Sequence, residues 1–101
     1  MKAKTTKFDQ LLDKEKCIHF FGRYGYYIHT EDDRALVLKK TGTVFAFSGE
    51  KIPKEVSIFF KDNGTEFSLK YDAFVLFDTG DLQKELDRIS DLIITNMNSM
   101  V

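Results

Sequence analysis

Between residues 55 and 71 the chain alternates. Val56, Ile58 and Phe60 fall on one face of an extended segment, and Phe67, Leu69 and Tyr71 on the matching face of the next, because successive side chains of a strand point to opposite sides. Asp62-Asn63-Gly64 separates the two runs. Asn-Gly tolerates positive φ at both central turn positions, so 55–61 and 65–71 are expected to pair as a β-hairpin. Residues 73–77 (AFVLF) read as a further short strand after a turn at Asp72.

An alternation of the same period runs earlier in the chain. Even positions hold Ile18, Phe20, Tyr24, Tyr26 and Ile28, interrupted by Gly22; odd positions hold Cys17, His19, Phe21, Arg23, Gly25, Tyr27 and His29. This predicts extended chain over 17–29, bent or turned at Gly22 and Gly25, with the even set facing a core. After the acidic turn Glu31-Asp32-Asp33, residues 34–40 and 43–48 read as a second hairpin around Lys40-Thr41-Gly42. Leu36 and Leu38 oppose Val37, and Val44 and Ala46 oppose Phe45 and Phe47, so both faces of that hairpin are apolar enough to be covered. Residues 48–53 hold a glycine and the one proline and read as a loop.

Helical spacing marks the two ends. Phe8, Leu11 and Leu12 lie at i, i+3 and i+4, which predicts a short helix over 5–16 capped by Thr5 or Thr6. Leu82, Leu86, Ile89, Ile93 and Met97 recur every three or four residues, which predicts a long amphipathic helix capped from within Asp78-Thr79-Gly80-Asp81. The fold class expected is α+β: an antiparallel, strongly bent sheet of six to seven strands with a short N-terminal and a long C-terminal helix. Over residues 17–98 this element order resembles that of pleckstrin-homology-like domains. The resemblance implies a terminal helix capping one end of the bent sheet, and it implies no site residues. The alternative is a curved sheet with both helices on one face.

Composition narrows the function classes. The 101 residues make one domain's worth of chain. Ten Phe and four Tyr with no Trp point to an aromatic core. The net charge of −1 disfavours binding that lives on phosphate-backbone attraction. The first 16 residues are mildly basic and residues 78–101 acidic. No signal-peptide pattern or membrane-length apolar run is present, and one cysteine excludes an internal disulfide, so a cytoplasmic location is expected.

Candidate chemistry is sparse. Cys17, His19 and His29 share a parity but lack the second ligand pair that zinc needs. Cys17 and His19 are also spaced too far apart along a strand for one to activate the other, and no third orienting group is evident. The carboxylates of Glu31-Asp32-Asp33 and of Asp78 and Asp81 sit where turns and helix starts use acids structurally. Gly22-Arg23-Tyr24-Gly25 lacks the context of a phosphate loop. No metal, cofactor or catalytic activity is expected.

What remains is binding. Aromatic residues and arginine dominate interface hot spots. Phe21, Arg23, Tyr27 and His29 lie on the parity opposite the inferred core, and they form the candidate partner-binding set unless the N-terminal helix covers them. The expected function is a small non-catalytic interaction domain that binds another protein, as an inhibitor or regulator of the kind phages and mobile elements encode. The alternative is a single-stranded nucleic-acid binder, since residues 21–28 resemble the aromatic strand of RNA-recognition modules. The apolar residues of the tail make homodimerisation through the C-terminal helix a further expectation.

Overall fold

The computed structural model describes residues 3–42, 52–72 and 80–101. Its elements follow in the order β1 (Lys4–Phe8), α1 (Lys14–Gly22), β2 (Tyr26–Glu31), β3 (Ala35–Lys40), β4 (Lys54–Lys61), β5 (Gly64–Tyr71), α2 (Asp81–Thr95) and α3 (Met97–Met100). The five strands form one antiparallel sheet in the order β1-β5-β4-β3-β2. Five strands are thus found among the described residues, not six or seven. The expected strands over 43–48 and 73–77 lie outside the described residues.

The hairpin of β4 and β5 forms in the expected register, with Val56 opposite Leu69 and Ile58 opposite Phe67. Its glycine serves a different purpose from the one expected. Neither Asn63 nor Gly64 takes a positive φ. A Cβ on Gly64 would collide with the carbonyl oxygen of Phe8, so the glycine lets β1 lie against β5. Beside it, buried Thr65 clamps the segment that follows β1. Its Oγ1 accepts from the Leu12 N–H at 2.9 Å and donates to the Gln10 carbonyl at 2.9 Å.

Two expectations near the N-terminus are corrected. Residues 4–8 are a strand, not part of a helix: Lys4 pairs with Leu69 and Phe8 with Thr65. The helical spacing of Phe8, Leu11 and Leu12 is fortuitous, since Leu12 is buried and Leu11 is exposed. Residues 14–22 are a helix, not a strand. Asp13 caps it by accepting from the Lys16 N–H at 3.0 Å, and Cys17, Phe20 and Phe21, spaced i, i+3 and i+4, form its buried stripe. Gly25, at φ 90°, turns the chain into β2.

Both long helices pack on one face of the sheet. Leu36, Leu38, Val56, Ile58, Phe67 and Leu69 share that face and are almost completely buried. They meet Phe20 and Phe21 of α1 and Leu82, Leu86, Ile89 and Ile93 of α2 in one cluster. The seven-stranded arrangement closed at one end by a helix is therefore not seen in the described residues. Helix α2 realises the expected stripe, but its N-cap is Gly80, at φ 94°, which offers no side chain; Asp78 and Thr79 lie outside the described residues. The chain end folds back through α3. Met100 is buried, and its carbonyl accepts from the Asp13 N–H at 2.8 Å. No helix of the described residues is long and apolar enough to cross a membrane.

Candidate functional site

The other sheet face has no described helix on it. Cross-strand register places Tyr27 opposite Lys39, Val37 opposite Ser57, and Ala35 opposite Phe59. Diagonal neighbours on one face of a sheet lie within reach of large side chains. Tyr27, Val37 and Phe59 are successive diagonal neighbours and form an apolar stripe across β2, β3 and β4. Tyr27 is 50% exposed and Phe59 40% exposed.

Charge borders the stripe on the side of β5. Glu55 receives Lys39 at 3.8 Å and Lys70 at 3.1 Å, and Lys39 also reaches Asp72 at 3.3 Å. Glu66, directly opposite Phe59, receives Lys7 at 3.6 Å and Lys61 at 3.5 Å. In each group one glutamate sits between two lysines from neighbouring strands. Such pairs contribute little to stability, at most about 1 kcal/mol each. They do neutralise one another, which gives the stripe a polar border on that side, as the rims of protein interfaces have.

A bulge places part of this surface. The ladder between β2 and β3 shifts between Ile28 and Thr30, so Tyr27 and Thr30 both face the open side, while His29 is left over in the ladder and exposed. Among the described strands β2 is at one edge of the sheet, where a bulge discourages unwanted strand pairing.

The structure separates the four sequence-derived site residues. Phe21 is completely buried, edge-on to Phe20 at 5.1 Å and to Tyr26 at 5.4 Å, and it contributes no surface. Arg23 is exposed at the C-cap of α1, with its guanidinium 5.7 Å from the Phe20 ring centre. Tyr27 and His29 remain together on β2. The four do not form one patch, because the parity that grouped them holds for a strand and half of them lie on or beside a helix. Val37 and Phe59 were missed as site residues. The signal for them was present as large apolar side chains on the face opposite Leu36, Leu38, Val56, Ile58 and Phe60.

The structure also places the other residues singled out for their chemistry. Cys17 and His19 sit two apart on a helix, one buried and the other exposed, so they do not face each other. Burial, with a smaller contribution from nearby Asp13, pushes the Cys17 thiol up to about 12, which keeps it protonated at neutral pH and poorly nucleophilic. No cluster of three or more metal-ligating side chains occurs among the described residues. Tyr26 is buried with a hydroxyl that finds no hydrogen-bond partner. Burial first, and then the Glu85 carboxylate, raise its pKa. Of the apolar tail, Ile93 and Met100 are buried in the core and Ile94 and Val101 are exposed. Comparison with protein-family models, with curated proteins and with solved structures found no match.

Proposed function

We propose that the protein is a non-catalytic interaction domain that binds another protein through the open face of its sheet. The observation that supports this reading is the apolar diagonal stripe Tyr27–Val37–Phe59, with both its aromatic ends exposed and self-neutralised charge groups along its border. Solvated sheet faces ordinarily alternate to polar residues, and an exposed aromatic stripe costs solubility without adding to the core. Tyr27 and Phe59 are the anchors of the contact, and Tyr27 is the member of the sequence-derived set that this surface retains; His29 lies at its margin. Arg23 and Phe21 are not part of it. Roles as an inhibitor or regulator, of phage or mobile-element type and in the cytoplasm, are part of this proposal.

Single-stranded nucleic acid is the second reading, because an open sheet face with two exposed rings is also a stacking platform. The lysines of the face are all engaged with carboxylates, which disfavours it. The test is affinity isolation from the native host with the full chain and with a Tyr27→Glu/Phe59→Glu variant of matched thermal stability. The reading expects one protein recovered at stoichiometric yield with the native chain and lost with the variant. Equal recovery with both overturns it. Loss of single-stranded RNA or DNA in place of a protein transfers the surface to the second reading.

A further inference from the structure

A second surface lies on the helical side of the molecule. Helix α1 and the α2–α3 junction enclose a cleft of about 420 Å³, lined by Lys16, His19 and Arg23 from the first and by Asn96 and Ser99 from the second, over a floor of Phe20 and Met100. That volume is in the range of small-molecule sites. Every titratable side chain lining the cleft is basic, and no side-chain carboxylate is among its lining groups. This is unusual for the chain, whose net charge is −1 and whose Lys7, Lys14, Arg34, Lys39, Lys61, Lys70 and Arg88 each contact an acidic side chain. Arg23 lies against the Phe20 ring and meets no acidic side chain among the described residues, and Lys16 donates to the main-chain oxygen of Val101, the last residue of the chain, at 2.7 Å. Asn96 gives its side-chain N–H to the Leu92 carbonyl at 2.8 Å, which leaves its oxygen uncommitted.

We infer that this cleft binds a small polyphosphate anion. Lys16 and Arg23 are seven residues apart on the ridge, which puts their Cα atoms about 10 Å apart at a rise of ~1.5 Å per residue, with His19 between them. Three basic side chains set along that length suit an anion carrying several phosphates better than one carrying a single phosphate. Arginine offers a planar fork to one phosphate and lysine a point charge to another, while the Ser99 hydroxyl supplies a neutral donor. The chemistry fits inorganic polyphosphate or the triphosphate of a nucleotide. The site shares no residue with the open sheet face and does not depend on it.

The experiment titrates the full chain with inorganic triphosphate at low salt, followed by calorimetry and ³¹P NMR, with ATP as a parallel arm. Saturable binding of one triphosphate per chain is expected. Arg23→Gln and His19→Gln each weaken it, the arginine change by about tenfold or more, since hydrogen bonds between charged groups are worth roughly 1.5–3 kcal/mol. Lys84→Gln, on an exposed turn of α2 away from the cleft, leaves it unchanged. Lys16→Gln is read only if its melting temperature matches the native chain, because Lys16 also holds the chain end. ATP bound more tightly than triphosphate makes the ligand a nucleotide, and equal affinity makes it the phosphate chain alone. No saturation at millimolar triphosphate, or binding that Arg23→Gln and His19→Gln leave intact, or an equal loss with Lys84→Gln, overturns the proposal.

Discussion

The two faces of the sheet carry opposite burdens. On the covered face, Leu36, Ile58 and Phe67 form a row beneath the helices, each with no exposed surface. On the open face, the adjoining row of Ala35, Phe59 and Glu66 belongs to the same three strands, and its phenylalanine is 40% exposed. A phenylalanine one position from the core thus performs no core function. Its neighbours on β4, Ile58 and Phe60, already fill the space between sheet and helices. Stability lives on one face of each strand, and the other face is free to be shaped by recognition.

That contrast is open to a graded series of substitutions. The largest effect is expected at Phe67, which packs against both Phe8 at 5.4 Å and Phe21 at 5.9 Å. Phe67→Ala is expected to cost about 3–5 kcal/mol in urea unfolding, a large part of the roughly 5–15 kcal/mol that holds such a domain together. Phe59→Ala is expected to cost less than about 1 kcal/mol in the same measurement, since the ring is 40% exposed and lies outside the packed core. Equal losses at the two positions would erase the distinction between the faces.

Gly64→Ala is expected next, at about 1–3 kcal/mol, because the new methyl group meets the Phe8 carbonyl and forces β1 off β5. Loss of amide protection confined to β1 in hydrogen exchange would show that mechanism directly. Thr65→Val is expected to cost about 1–3 kcal/mol by stranding the Leu12 N–H and the Gln10 carbonyl.

The smallest effects come from two groups raised in pKa within the core. Cys17 and Tyr26 are both held in their protonated forms by burial. A group whose folded pKa lies above its unfolded value contributes stability that is intact below the unfolded pKa and is lost as pH rises towards the folded one. Stability is therefore expected to be flat through neutral pH and to decline from about pH 9 towards about 12 as the unfolded thiol ionises first. Urea midpoints across that range test the decline, and Cys17→Ala makes it shallower. Tyr26→Phe is expected to be neutral or to stabilise by up to about 1 kcal/mol at pH 7, because its hydroxyl is buried without a partner.

The β4–β5 hairpin and α2 were legible in the sequence because their apolar periods match their true geometries, and the two strands of the hairpin are also neighbours in the chain. The N-terminal quarter was not. Phe20 and Phe21 are adjacent, so they satisfy a period of two on either parity as readily as a helical stripe with Cys17; only the Asp13 cap tips the balance, and it is one residue. Strand β1 pairs with residues sixty positions away, and no local pattern encodes that. The same ambiguity misplaced the site. Phe21 was grouped with Tyr27 by a strand parity that ends at the helix, while Val37 and Phe59 were visible only as apolar residues on a face expected to be polar.

The most direct test of the contrast between faces is site-specific photo-crosslinking in the native host, with a benzophenone side chain at position 37 in one chain and at position 84 in another. Position 37 is the centre of the stripe, and position 84 lies exposed on α2. The open-face account predicts one discrete protein adduct from position 37, abolished by Phe59→Glu, and none from position 84. An adduct from position 84 alone, or one from position 37 that survives Phe59→Glu, would contradict it.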